Sequence, residues 1–265
     1  MKSEILKYLS PAYPWKEEIQ YFPTLDSTND HVRALAKAGA PHGTAILAGH
    51  QTNGHGRRGR SFHSPADSGI YLSLLLRPNC PASELMHLTC AAAVAMCDAV
   101  ESAAGFRPGI KWTNDLVSGT RKLGGILTEI GFSVQGNVDW AIIGIGINCS
   151  QRQSDFPQEI RNMAGSLSMV SGAAVDRTKV AAAMLDALFR MSESLISGKE
   201  NIINQYRCDC MTLHRDVVLV RGDEKRYGHA LDIDPDGGLV VRFENGAVET
   251  VNSGEISVRG MYGYV

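Results

Sequence analysis

The sequence predicts an α+β fold: a mixed, mostly antiparallel sheet with packed helices, followed by a small C-terminal β-barrel. Three observations carry this. Strand and helix patterns do not alternate strictly as β-α-β. From Gly109 to Asn148, short strands are separated by Ser118-Gly119 and Gln135-Gly136-Asn137, turn signals between hairpin arms. After His214, about 50 residues alternate apolar and polar positions at period two. The expected organisation is a first domain over 1–213 and a barrel over 214–265.

In chain order, Ile19–Phe22 is a short apolar strand, and Ser27 caps a helix whose Val32, Leu35 and Ala36 share one face before Gly39 stops it. Thr44–Gln51 reads as a strand. Thr52–His63 holds three glycines and three arginines without periodicity and is a loop. Gly69–Arg77 is almost continuously apolar, the pattern of a strand buried on both faces in the middle of a sheet. Ser83 offers an N-cap for a long helix with Leu85, Leu88, Ala92, Met96, Ala99 and Ala103 on its buried side, ending at Gly105. Asp176 caps a second long helix carrying Val180, Met184, Ala187, Leu188, Met191 and Leu195, with Gly198 as its stop. A shorter helical stretch then reaches about Cys210. The barrel strands are Val217–Val220, Tyr227–Ile233, Leu239–Phe243 and Ala247–Val251, joined by Asp236-Gly237-Gly238 and Glu244-Asn245-Gly246.

Composition bounds the function classes. The chain has 265 residues, 44% hydrophobic and 20% charged, enough to bury a core and too apolar for a disordered tail. Its net charge of −2 argues against a general nucleic-acid coat, although not against a local basic site. The apolar runs Ala91–Cys97 and Ala141–Ile147 are too short to span a membrane. The N-terminal MKSEILKYLSPAYPW places Glu4 inside its apolar patch and has no small-residue cleavage signal, so the expectation is a cytoplasmic chain without a secretory leader or membrane partner. Six cysteines form no C-x-x-C pair, and neither structural zinc nor a disulfide framework is expected.

The sharpest local feature is Gly54-His55-Gly56-Arg57-Arg58-Gly59-Arg60, with Gln51 before it. Its first six residues satisfy G-x-G-x-x-G, but no helix opens inside it and no acidic residue follows near Leu74 to Arg77, so the dinucleotide reading fails. Glycines leave this backbone free to reorganise, and arginines concentrate charge that pairs with phosphate in two-pronged geometry. A mobile cationic loop suits a polyanionic ligand. A solvated basic turn and a nucleic-acid contact are the alternatives at this point.

Further motifs decide between them. Asp26-Ser27-Thr28-Asn29, the arginine loop, Lys111-Trp112-Thr113-Asn114-Asp115, Arg121-Lys122-Leu123-Gly124-Gly125-Ile126-Leu127-Thr128-Glu129 and Ile143-Gly144-Ile145-Gly146-Ile147-Asn148 occur in this order. As a set they resemble the biotin–protein ligases, which attach biotin to a carrier lysine. The resemblance runs from about Asp26 to the C-terminus.

It implies a class II synthetase-like catalytic domain, an SH3-like barrel, ATP and biotin as substrates with Mg²⁺, and a biotin carboxyl carrier protein, such as that of acetyl-CoA carboxylase, as partner. The implied biotin contacts are Ser27, Thr28, Asn29, Gln51, His55, Gly56, Arg57, Lys122, Gly125, Gly144 and Gly146. Those implied for ATP are Arg57, Arg58, Arg60, Asn114, Lys122 and Asn148, with Arg57 and Lys122 catalytic and Asp115 the metal candidate. The residue types suit the chemistry, because a carboxylate must attack an α-phosphate and anion approaching anion needs cations more than a base.

The sequence departs from the family pattern at three places: His55 where Arg is usual, Thr113 for Pro, and Gly124 where Ala is common. The first lowers the loop's charge, the second removes a rigid turn, and none touches Arg57 or Lys122. Only 25 residues precede Asp26, too few for the helix-turn-helix domain of the bifunctional members, so a ligase without repressor activity or a DNA partner is expected. The alternatives are a lipoate–protein ligase, which shares the fold but not this arginine loop, and a nucleic-acid-binding regulator, disfavoured by the acidic balance. Edge strands leave a homodimer open.

Overall fold

The structure, a computed structural model, describes residues 1–221, 224–252 and 255–258. The end of the expected barrel, 259–265, lies outside the described residues.

A short helix α1 (Lys2–Tyr8) leads to β1 (Ile19–Phe22), α2 (Thr28–Lys37), β2 (Ala45–Ala48) and β3 (Gly69–Leu76). Helix α3 (Leu88–Ala104) then precedes β4 (Gly109–Lys111), β5 (Asp115–Ser118), β6 (Arg121–Phe132) and β7 (Val138–Asn148). Helices α4 (Leu167–Ser171), α5 (Arg177–Ser194) and α6 (Lys199–Asp209) follow. These seven strands form one sheet in the order β1-β2-β3-β7-β6-β5-β4. Only β1 and β2 are parallel within it, so the sheet is mixed and mostly antiparallel.

Period-two alternation gives the sheet two different faces. Ile70, Leu72, Leu74 and Leu76 of β3 and Ala141, Ile143, Ile145 and Ile147 of β7 belong to the large core under α3 and α5. The intervening residues look the other way: Leu75, Ile142 and Ile46 of β2 pack beneath Val32 and Ala36 of α2. On that second face Ser73 pairs with Gly144, which pairs with Leu127, and Tyr71 pairs with Gly146, which pairs with Gly125 and so with Asp115. Small residues in the middle of these rows leave a hollow beside α2.

Ser27 caps α2 as expected, its hydroxyl accepting from the Asp30 amide at 3.4 Å. Asp176 caps α5 through the Thr178 and Lys179 amides. Three helix boundaries differ from the sequence reading. Pro81 starts a 3₁₀ turn over Ala82–Leu85, so Ser83 lies inside that turn and does not cap α3, which begins at Leu88 and ends on left-handed Gly105. Gly198 precedes α6 as its N-cap, while α5 has already ended at Ser194. Neither α1 nor α4 was expected, since seven and five residues are too few for a helical period to register.

The segment Ala82–Ala104 is long and apolar enough to cross a membrane, but it is mostly buried as the central core helix. All six cysteines are free, and burial pushes the Cys90 and Cys149 thiols up to about 12, so they pack as small apolar groups.

The C-terminal strands β8 (Asp216–Arg221), β9 (Glu224–Ile233), β10 (Leu239–Phe243), β11 (Val248–Val251) and β12 (Glu255–Val258) form an antiparallel, SH3-like sheet in the order β11-β10-β9-β8-β12. Val217, Leu219, Ala230, Leu239, Val241 and Val251 are among its buried residues. The strand β12 escaped the sequence reading. Contacts that fasten this sheet to the rest of the chain include Trp112 Nε1 donating to the Gly237 carbonyl at 2.9 Å, Arg207 of α6 donating to the Ile233 carbonyl and to Asp232, and the Lys199–Asp236 ion pair.

Candidate active site

The hollow beside α2 is a cavity of about 430 Å³. Every site residue named from the sequence lines it, from Ser27, Thr28 and Asn29 on α2 to Asn148 at the end of β7. Its two ends differ in chemistry.

One end is uncharged and rich in hydrogen bonds. Ser27, Thr28 and Asn29 sit at the start of α2, each under 5% exposed. Gln51 Oε1 accepts from the Thr28 amide at 2.9 Å and lies 3.1 Å from Thr28 Oγ1. Gly144 lets Asn29 settle onto the strand, since a Cβ there would fall 1.9 Å from Asn29 Oδ1. Gly146 is likewise covered by the ring of Phe62, 2.4 Å from where its Cβ would stand.

The other end is cationic. Arg57, Arg58, Arg60, Lys111 and Lys122 line the cavity with a single carboxylate, Asp115. Lys122 Nζ donates to Asp115 Oδ1 at 2.6 Å, and Arg57 donates to Asn114 Oδ1 at 3.0 Å. Burial, then the charge of neighbouring Arg58, hold the Arg57 guanidinium below its ordinary value, against the pull of Asp115. A bound anion would relieve this crowding. Lys122 is also pinned through its backbone, donating to the Met163 carbonyl at 2.6 Å and accepting from the Gly165 amide at 2.9 Å.

The arginine loop is folded over the cavity as a tight hairpin. The Gly56 amide donates to the Arg60 carbonyl and the Phe62 amide to the Gly54 carbonyl, and Arg58 (φ 57) and Gly59 (φ 72) turn the chain in the left-handed region. His55 Nε2 reaches Asp30 Oδ2 at 2.7 Å, tying the loop to α2. Burial works against the Asp30 charge, yet hydrogen bonds from His55 and Arg33 hold its carboxyl below the ordinary value.

Two expected residues spend their polar atoms on the protein. The Asn148 amide donates to the Gly165 carbonyl at 2.9 Å and accepts from Gln151 at 3.2 Å, which steadies the segment beside Lys122. His55 is engaged by Asp30. Sequence reasoning missed Ser64, Ser73 and Glu129, which lie behind the cavity lining, and Phe156, Ile160 and Met163, which wall its side. The apolar spacing of the last three among polar neighbours was their only signal.

For a divalent cation, the described residues contain no cluster of three or more His, Cys, Asp or Glu side chains. Among the described residues that line the cavity, Asp115, paired with Lys122, is the carboxylate a divalent cation would meet.

The sequence profile of the Biotin/lipoate A/B protein ligase family matches residues 21–148, and that of the Biotin protein ligase C terminal domain matches 212–259. A biotin--[acetyl-CoA-carboxylase] ligase from Mycobacterium tuberculosis is 31% identical over 236 residues, covering 87% of this chain and 85% of its own. The chain belongs to the biotin protein ligase family. The ligase is also 35% identical over 243 residues to the bifunctional ligase/repressor BirA of Bacillus spizizenii, covering 91% of this chain and 74% of the relative. Among solved structures, the biotin protein ligase from Aquifex aeolicus in complex with biotin and ATP superposes with a TM-score of 0.76 at 29% identity, covering 91% of this chain and 98% of that one.

Proposed function

We propose that this ligase activates biotin with ATP and transfers it to a lysine of a biotin carboxyl carrier protein. The observation that carries the reading is the two-ended cavity: a neutral hydrogen-bonding end at Gly144 and Leu127, and a cationic end at Lys122, five residues away along β6. The Lys122 ammonium folds back to 3.5 Å from where a Cβ on Gly125 would stand, about 7 Å of strand from Leu127, so an acid lying along β6 meets the neutral surroundings with its head and the cations with its anionic end.

In the first step a carboxylate oxygen of biotin attacks the α-phosphorus of ATP. The bond to the β-phosphate oxygen breaks, and pyrophosphate leaves biotinyl-adenylate. Arg57 and Lys122 screen the two approaching anions and stabilise the charge that builds on the phosphorus centre. Arg58 and Arg60 meet the phosphates, while Asn114 holds Arg57 in place. Asp115 would be the residue to hold a magnesium ion, which would supply further charge neutralisation. In the second step the carrier's neutral lysine amine attacks the acyl carbon, AMP leaves, and an amide remains.

The neutral end binds the biotin head through Ser27, Thr28, Asn29 and Gln51, over Gly144 and Gly146. Gly144→Ala drives a methyl group into Asn29. It is expected to raise the KM for biotin by about tenfold or more, with a much smaller change for ATP. Steady-state pyrophosphate release with each substrate varied checks this.

The test of the function is incubation with biotin, ATP, magnesium and a biotin carboxyl carrier domain, followed by a streptavidin blot. Labelling of one lysine of the carrier is expected. Labelling that requires lipoate, detected with an antibody to lipoyl-lysine, would contradict it.

A further inference from the structure

The arginine loop carries one histidine on its stem and is tied at its far end by two more. His55 pairs with Ser61 across the hairpin, so whatever holds its ring holds the loop. Its Nε2 donates to Asp30 Oδ2 at 2.7 Å, in the first turn of α2. Asp30 Oδ1 accepts from Arg33 at 2.6 Å, and Arg33 reaches on to Glu129 of β6. Where the loop ends, His50 Nδ1 lies 2.8 Å from the Ser64 carbonyl, and His63 Nε2 lies 3.3 Å from the Asp155 carbonyl.

These three contacts respond differently to pH. A carbonyl oxygen only accepts, so His50 and His63 each need one N–H, which a neutral imidazole supplies as well as a charged one. His55 instead faces a carboxylate. Burial opposes the Asp30 charge, but hydrogen bonds from His55 and Arg33 hold its carboxyl below the ordinary value, so it is an anion through the neutral range. A protonated ring adds an ion pair to the hydrogen bond, and a neutral ring keeps the hydrogen bond alone. Around the pair stand Arg33 and Glu129, and the loop's own Arg57, Arg58 and Arg60. Guanidinium and carboxylate groups keep their charge through the neutral range, which leaves the imidazole as the group that changes.

Asp30 is not among the described residues that line the cavity, whereas His55 is. The route from this carboxylate to a bound ligand is therefore the loop. We infer that Asp30 is a positioning residue that holds the arginine loop shut through His55, with a grip that is strongest when the imidazole is protonated, so that the activated acyl-adenylate is released more readily as the pH rises. This inference rests on the adenylate chemistry proposed above. The sign follows from the charges: the ion pair is complete on the acid side of the imidazole titration and is lost on the alkaline side. A lysine amine attacks only when neutral, so the loop loosens in the same direction of pH that prepares the carrier's nucleophile. The side chains are 36% and 39% exposed, so solvent screens the pair, and a change of about two- to fivefold is the expected scale.

The experiment uses the full chain. Biotinyl-adenylate is formed from biotin, magnesium and radiolabelled ATP without carrier, freed of small molecules by rapid gel filtration, and its dissociation followed by filter binding at about pH 6 and about pH 9, on either side of the imidazole range. His55→Arg keeps a cation at both values and serves as the reference that cancels pH effects arising elsewhere. Relative to that reference, the unaltered chain is expected to release adenylate about threefold faster at the higher pH. Asp30→Asn keeps the backbone amide that Ser27 caps and removes the charge. It is expected to form adenylate at the unaltered rate, to release it on the acid side as fast as the unaltered chain does on the alkaline side, and to show no further rise. Thermal unfolding of each variant confirms the fold. Release that rises equally in the unaltered chain and in His55→Arg, or an Asp30→Asn chain that retains adenylate on the acid side as the unaltered chain does, would overturn the inference. A chain that forms no adenylate from biotin at either pH removes the chemistry proposed above and the inference with it, which keeps the two failures apart.

Discussion

Lys122→Ala is expected to slow adenylate formation by about a hundredfold or more, the scale of losing one preorganised charge where an anion develops. The effect follows from how the residue is held. Its backbone is clamped on both sides by the 163–165 segment, its Nζ is steered by Asp115 at 2.6 Å, and it begins the strand that floors the cavity. Such a lysine reaches a fixed point and loses little freedom when two anions meet there. An exposed surface lysine would contribute almost nothing. Single-turnover measurement of biotinyl-adenylate in the absence of carrier reads the effect, and circular dichroism confirms that the fold survives. A loss of tenfold or less with the fold intact would remove Lys122 from the chemistry. Lys122→Arg should recover only part of the rate, since a planar fork cannot sit where a compact ammonium does.

Arg57→Gly is expected to release biotinyl-adenylate before transfer, labelling bystander lysines on the order of tenfold more than the unaltered chain. Tethers that close the loop in the structure include the Arg57–Asn114 hydrogen bond, the His55–Asp30 pair, Phe62 against Gly146, and hydrogen bonds from Thr52 and Asn53 to Asp26. Ordering roughly a dozen residues rich in glycine costs on the order of 10 kcal/mol, so those tethers need an anion beneath them to hold. A mixed anhydride hydrolyses readily, which gives closure a chemical purpose in excluding water until the carrier lysine arrives. Two readouts test this together. Protease should cut within 52–63 freely in the unliganded protein and slowly with biotin plus ATP, and the Arg57→Gly chain should label an unrelated lysine-rich protein. Equal cleavage in both states with no bystander labelling would remove the lid function while leaving the ligase chemistry standing.

The parts of the site that sequence made visible are those whose chemistry is unusual where they stand. Three arginines among glycines, and a lysine before two glycines, stand out, and their occurrence in order with the other motifs is what separates them from a solvated basic turn. The supporting residues were hidden for the opposite reason. Ser73 interrupts an otherwise apolar strand by one hydroxyl, and Glu129 follows Thr128 on a half-exposed strand, so neither stands out until β3, β6 and α2 are brought together. Helix starts were misplaced where a proline imposed a 3₁₀ turn, as at Pro81, because the apolar period runs through the turn without a break. The resemblance alone placed Gly144 and Gly146 at the site, since the nearly continuous apolar run of β7 could not say that its glycines open a cavity rather than admit a helix. That distinction depends on α2 stopping short of Gly146, with the arginine loop crossing in its place.

The measurement that tests this account most directly is ATP–pyrophosphate exchange in the absence of any carrier. Radiolabelled pyrophosphate is followed into ATP with biotin, with lipoate, and with neither. The expected result is exchange that requires biotin, disappears in Lys122→Ala, and is unaffected by lipoate. Exchange supported by lipoate and not by biotin, or none with biotin despite an intact fold, would contradict it.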